Sequence, residues 1–220
     1  QDKTPICTGG YVDVKLKDGT EKRINLTRIH MEEDAGKSMH DIDPFESLID
    51  LNRAGTPLLE IVTEPDFTCS DEAYVYLTEV KKLVRYLDIC DGNMEEGSMR
   101  CDANVSVRLK GETDYRNRVE VKNMNSIRNV KRAIDVEVKR QIDIYENGGT
   151  IDQETRSFNQ ADGTSFPLRS KENAHDYRYF PEPDLPPVVI TPQTIATIKS
   201  AMPQLPKELQ QKFTTEYKLS

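Results

Sequence analysis

The chain has 220 residues, of which 36% are hydrophobic and 31% charged, with four Cys, no Trp and a net charge of -8. That length suits one domain or one and a half, and helical and strand periodicities run throughout, which argues against disorder despite the polar composition. No apolar run is long enough for a membrane span, no secretory signal is visible, and no P-loop or dinucleotide fingerprint occurs, so those classes are excluded.

Cys7, Cys69, Cys90 and Cys101 show no zinc-knuckle spacing, and a chain of this size needs no disulfide staples, so reduced, mostly buried thiols in a cytosolic protein are expected. The chain opens on Gln1 rather than Met, which suggests a fragment or a processed product. Its charge is unevenly placed. Residues 30–66 hold ten acids and two bases, while residues 116–140 hold eight bases and three acids. An acidic pole beside a basic stretch suits a protein that holds metal ions at one place and a polyanion at another; ordinary surface charge is the other reading.

In chain order, Val12, Val14 and Leu16 alternate, Asp18-Gly19 turns, and Ile24 and Leu26 alternate again, predicting a β-hairpin whose second strand runs toward Glu33. Residues 38–57, with Pro44, Gly55 and Pro57, read as a long irregular loop. Leu58–Thr63 reads as a short buried strand ended by Pro65, with Glu60 and Glu64 on one face about 13 Å apart. Ser70 caps a predicted helix over 71–88 with Ala73, Leu77, Val80, Val84 and Leu87 at helical spacing. A strand from Arg100 to Leu109 alternates strictly, with Cys101, Ala103, Val105, Val107 and Leu109 on one side. A second strand holds Val119 and Val121. Ser126 then caps a long helix with Ile127, Val130, Ile134, Val138, Ile142 and Tyr145 on one side, stopped by Asn147-Gly148-Gly149. A hairpin over 153–171 turns at Ala161-Asp162-Gly163, and residues 177–187 form an extended loop. A boundary falls near 190, separating a domain over 1–190 from a polar helical segment over 191–220.

The chemistry concentrates in two patterns. The polar side of the 100–109 strand is an ordered row, Arg100, Asp102, Asn104, Ser106 and Arg108, which suits the floor of a site for a charged ligand; a solvated sheet face is the alternative. The carboxylates Glu32, Glu33, Glu60, Glu64, Glu96 and Asp102 lie in or beside strands. Mg²⁺ needs only one or two of them beside substrate phosphates, and His30 can join. Taken singly, each acid is more often solvated than ligating. Arg128, Lys131, Arg132, Lys139 and Arg140 form a stripe on the long helix, read either as a phosphate-binding face or as plain solvated surface.

Five segments together make a resemblance: His30-Met31-Glu32-Glu33-Asp34-Ala35-Gly36-Lys37; Asn52 to Asp66; Glu95 to Arg108; Glu120-Val121-Lys122-Asn123-Met124-Asn125-Ser126; and Asp176 to Asp184. In this order, across about residues 5–190, they resemble the B-subunit family of aspartyl/glutamyl-tRNA amidotransferases. The resemblance implies an α+β fold, a cradle with an antiparallel sheet similar to glutamine synthetase. It implies a kinase-like step in which ATP and Mg²⁺ phosphorylate the side-chain carboxylate of glutamate on tRNA(Gln) or aspartate on tRNA(Asn), followed by attack of ammonia. The implied partners are an amidase A subunit, a C subunit and the aminoacylated tRNA, in the cytoplasm and away from membranes. By matching positions, it implies metal binding for Glu33 and Glu60 with Glu32 beside them. It implies catalytic contacts for Glu96, Arg100 and Asp102, with Arg100, Asp102 and Asn104 facing the nucleotide. The family's opening segment, a strand bearing Glu and His, and its helical tail domains have no counterpart here, so an excised and inactive central piece is expected. A glutamine-synthetase-like ligase acting on a free amino acid, and a non-catalytic RNA-binding module, are the rival readings.

Overall fold

The computed structural model describes residues 4–40, 42–43, 45–168 and 186–219. The chain divides into two compact units, Gln1–Leu77 and Thr78–Ser220, and the division falls inside a helix.

The first unit is built on β3 (Glu21–Glu33), a strand of 13 residues. Before it come β1 (Cys7–Thr8) and β2 (Tyr11–Lys15), both antiparallel to it. The hairpin between β2 and β3 turns where Asp18-Gly19 predicts. Gly19 takes φ +90, the Leu16 N–H donates to the Thr20 carbonyl (2.8 Å), and the Asp18 carboxylate accepts from the Thr20 N–H (2.9 Å). Beyond β3 the expected irregular loop contains a small hairpin of β4 (Lys37–Met39) and β5 (Leu48–Asp50). The loop is closed at its base, where the Asp34 N–H donates to the Thr56 carbonyl (2.9 Å) and the Arg53 Nε donates to the Asp34 carboxylate (2.7 Å).

β6 (Pro57–Thr63) then pairs antiparallel with the second half of β3. The register shifts by one residue between Leu26 and Arg28, leaving Thr27 as the added residue. The strand exists as predicted but is not buried: Leu59 is 49% and Ile61 37% exposed. An apolar run records that burial would be favourable; it does not supply the covering element. α1 (Ser70–Tyr86) buries Ala73, Tyr76 and Leu77. Its Glu72 is also buried, because it accepts from the Lys22 Nζ (2.8 Å), the Thr68 N–H (2.6 Å) and the Thr68 hydroxyl (3.0 Å).

The second unit holds a four-stranded sheet in the order β10, β9, β8, β7. β7 (Ala103–Val105) pairs antiparallel with β8 (Val119–Lys122), and β9 (Glu154–Asn159) antiparallel with β10 (Thr164–Pro167). The expected antiparallel sheet has one parallel pair, β8 with β9, because α2 (Ile127–Glu146) carries the chain back between them. The class is α+β, as expected. Of the predicted 100–109 strand only three residues form ladder, and Leu109 is 66% exposed. Beyond Val105 the backbone bonds instead to a side chain: Gln141 Nε2 donates to the Val105 carbonyl (2.9 Å), and the Val107 N–H donates to Gln141 Oε1 (3.1 Å).

Ser126 caps α2 as predicted, its hydroxyl accepting from the Asn129 N–H (3.2 Å), and Asn147 ends it. The buried face differs from the expected one: it is Val130, Ala133, Glu137 and Gln141, while Ile142 is 41% exposed. The buried Glu137 carboxylate has its oxygens satisfied, because Arg140 grips it through two N–H groups (2.8 Å each) and Gln141 donates to it (2.7 Å). After the predicted turn at Ala161-Asp162-Gly163 the hairpin ends at Pro167; its last residues, most of the 177–187 loop and the Asp176–Asp184 motif lie outside the described residues. α3 (Pro192–Ala201), capped by Thr191, and α4 (Pro206–Thr215) follow. Among the described residues no helix is long and apolar enough to cross a membrane. The four thiols are free, but Cys7 and Cys69 are exposed rather than buried.

Candidate functional site

In the first unit, the β3–β6 register sets His30 opposite Glu60 and Glu32 opposite Leu58. Cross-strand partners project to the same face, as do residues two apart on one strand. His30, Glu32 and Glu60 therefore converge, and one ligand atom from each lies within 4.8 Å of the others. Glu33, one residue on and opposite Pro57, is outside this group. Glu64 has left the strand, and its carboxylate accepts from the Thr27 hydroxyl (2.7 Å).

His30 is 3% exposed. Its Nε2 accepts from the Arg28 Nε (3.3 Å) and lies 3.7 Å from Glu60 Oε2. Its Nδ1 is buried with no hydrogen-bond partner among the described residues. With Nε2 accepting, Nδ1 carries the ring proton, and a buried N–H without a partner is uncommon and asks for an acceptor such as water. An imidazole and two carboxylates form a donor set for a divalent cation, so these residues fit one.

In the second unit, Arg100, Asp102 and Asn104 are exposed, and Glu96 is exposed in the loop before them. Ala103 and Val105 face the core at 8% and 6% exposure, so alternation places the two sides of this segment as the sequence implies. Cys101, half-buried before them, has its thiol pushed up to about 12 by burial and by the adjacent Asp102 carboxylate, which removes it as a nucleophile near neutral pH. The structure adds two residues that sequence reasoning left out. Lys122 Nζ donates to Asp102 Oδ2 (2.7 Å) and lies 3.2 Å from Glu120 Oε1. Glu120 Oε2 in turn accepts from the Thr155 hydroxyl (3.0 Å). The signal is present in the alternation of β8, but it becomes a site only when the register opposes Asn104 to Glu120.

The basic stripe of α2 does not form as drawn. Arg140 is turned onto Glu137 and Glu154, and Arg132 lies over the Phe158 ring and bonds to the Asn129 side chain (3.1 Å) and the Gln160 carbonyl (3.4 Å). Arg128 and Lys139 remain exposed.

Residues 1–196 match the family described as the GatB/GatE catalytic domain. The chain is 55% identical over 216 residues to a protein of Gluconobacter oxydans named as the B subunit of aspartyl/glutamyl-tRNA(Asn/Gln) amidotransferase, covering 98% of this chain and 44% of that one. Proteins of the same name from Alkalilimnicola ehrlichii and Pseudomonas putida are each 54% identical, covering 100% and 98% of this chain and 46% and 45% of theirs. The chain thus spans less than half the length of these relatives. A family match over residues 1–196, with 54–55% identity to these relatives over nearly the whole sequence, places the chain in the GatB/GatE catalytic-domain family.

Proposed function

We propose that this chain is the catalytic part of the B subunit of a tRNA-dependent amidotransferase, with a cradle similar to glutamine synthetase over about residues 1–190. The parent converts Glu-tRNA(Gln) to Gln-tRNA(Gln), Asp-tRNA(Asn) to Asn-tRNA(Asn), or both. ATP phosphorylates the side-chain carboxylate of the attached amino acid. Ammonia released from glutamine by an amidase A subunit then displaces phosphate, with a C subunit completing the complex. The observation that carries this reading is the identity of 53–55% with amidotransferase B subunits over almost all of the chain.

Two groups of residues divide the work. His30, Glu32 and Glu60 would hold Mg²⁺, which when bound neutralises phosphate charge. Glu33 stands beside this group. In the second unit Arg100 and Asn104 offer N–H donors to anionic oxygens, and Asp102 and Glu96 offer carboxylate acceptors. Phosphoryl transfer asks for positioning and fixed charge rather than covalent chemistry from the protein, and these side-chain types meet that demand.

In the complete complex, Glu60→Gln and His30→Ala should each lower tRNA-dependent amidation at least a hundredfold while the partner's glutaminase activity persists. On this chain alone, Mn²⁺ binding followed by electron paramagnetic resonance should show a site that both substitutions weaken. Normal amidation by either variant would overturn the assignment. ATP turnover that is indifferent to charged tRNA would favour a ligase acting on a free amino acid.

A further inference from the structure

We infer that Lys122 is a substrate-contacting residue of the second-unit face, an ammonium held ready to donate to an anionic oxygen of the phosphoryl donor or of the acceptor carboxylate. The inference rests on the amidotransferase reading above and assigns a residue that the sequence left unassigned.

The register carries the first step. Ala103 pairs with Val121 and Asn104 with Glu120, so continuing the ladder by one places Lys122 across from Asp102. Side chains opposite each other on one face of an antiparallel pair come within reach, and here they do so at 2.7 Å. The second step is fixation. The ammonium lies between Asp102 and Glu120, and Glu120 is itself held by Thr155 on the next strand. A chain of polar contacts, Asp102, Lys122, Glu120 and Thr155, thus runs from the residue just before β7 across β8 to β9. An ordinary surface lysine ends in water on a mobile stem. This one is 35% exposed, with its head fixed from two sides.

The third step is the count of donors. An ammonium carries three N–H groups and accepts nothing. Two directions are taken by carboxylates, and no further acceptor contacts Lys122 among the described residues. Burial alone would lower its pKa, but the bonds to Asp102 and Glu120 outweigh burial and hold it above its ordinary value, so it stays charged. A fixed positive charge with one unspent donor, in a row with Arg100 and Asn104, suits an oxygen that gains charge during phosphoryl transfer.

The test uses the complete complex with Lys122→Met and Lys122→Arg. Binding of a fluorescent ATP analogue is measured in EDTA, where no metal contributes, and KM is measured separately for ATP and for charged tRNA. Lys122→Met should weaken analogue binding and raise the KM for ATP about tenfold if the oxygen belongs to a phosphate. It should raise the KM for charged tRNA alone if the oxygen belongs to the acceptor carboxylate. Lys122→Arg, which keeps the charge, should recover part of the loss in either case. If Lys122→Met keeps both KM values, kcat and analogue binding within twofold of wild type, Lys122 is only a cross-strand ion pair and the inference falls. Should Lys122→Met fail to fold, the double variant Lys122→Met with Asp102→Asn removes both opposed charges; analogue binding, both KM values and kcat all within twofold of wild type in that variant would overturn the inference equally. A wild-type complex that neither binds the analogue nor amidates tRNA would instead overturn the amidotransferase reading itself.

Discussion

At the scale of single residues, the informative side chains are the polar ones found where burial should penalise them. Glu72 is 5% exposed yet accepts three hydrogen bonds. Burial pushes its pKa up, but the bonds from Lys22 and Thr68 outweigh burial and hold it below the ordinary 4.5. Its contribution to stability is therefore complete above about pH 4.5 and lost as the pH falls through the lower folded value. Glu72→Gln should cost about 1–3 kcal/mol in urea melts at pH 7. The gap to wild type should narrow at pH 3, and a constant gap would refute the account. None of this is legible in the sequence, where Glu72 reads as one of two acids favouring a helix N-terminus. The partners, Lys22 and Thr68, come from a distant strand and from the preceding loop. The trio of His30, Glu32 and Glu60 is half legible: the family motif singles out Glu33 and Glu60 with Glu32 beside them, and His30 reads as a ligand that can join, but only the pairing of β3 with β6 groups His30 and Glu32 with Glu60 and leaves Glu33 outside.

At the scale of elements, boundaries are easier to read than faces. Ser126 and Asn147-Gly148-Gly149 mark the ends of α2 through local chemistry, cap and left-handed glycine, which needs no tertiary information. Its buried face escapes a reading guided by hydrophobicity, because two of the four buried positions are Glu137 and Gln141. Gln141 acts as a substitute peptide group, offering one acceptor and one donor to the backbone of 105–107 where no strand is available. Gln141→Leu preserves bulk and leaves the Val105 carbonyl, the Val107 N–H and one Glu137 bond without their partner. A loss of about 2–4 kcal/mol is expected at about 1–3 kcal/mol per unsatisfied buried group, since part of the exposed backbone reaches water. Thermal melts measure it, and amide hydrogen exchange at Val107 should rise with it. A variant as stable as wild type would show that the bonds are incidental.

At the scale of the whole molecule, charge is the variable that sequence alone reports faithfully, since it needs no coordinates. The acid-rich segment 30–66 belongs to the first unit and the base-rich segment 116–140 to the second. A net charge of -8 concentrated this way repels itself within the first unit, and salt screens that repulsion over about 8–10 Å. Raising NaCl from about 10 to about 150 mM should therefore raise the melting midpoint by a few degrees, about 2–4 °C for each kcal/mol relieved in a chain of this size. A midpoint that falls with salt would mean that attractive pairs such as Lys22–Glu72 outweigh the excess of acid.

The extra residue at Thr27 sets a frame for the sheet much as an inserted base sets one for a message. An added residue on one strand changes which residue of the partner strand meets each residue downstream. Carried on without it, the pairing of Leu26 with Thr63 would set Leu59 opposite His30 and Glu60 opposite Ile29. The shift sets Glu60 opposite His30 instead, and the imidazole and the carboxylate meet. The Thr27 hydroxyl on Glu64 and its carbonyl accepting from Gly9 then hold the frame in place.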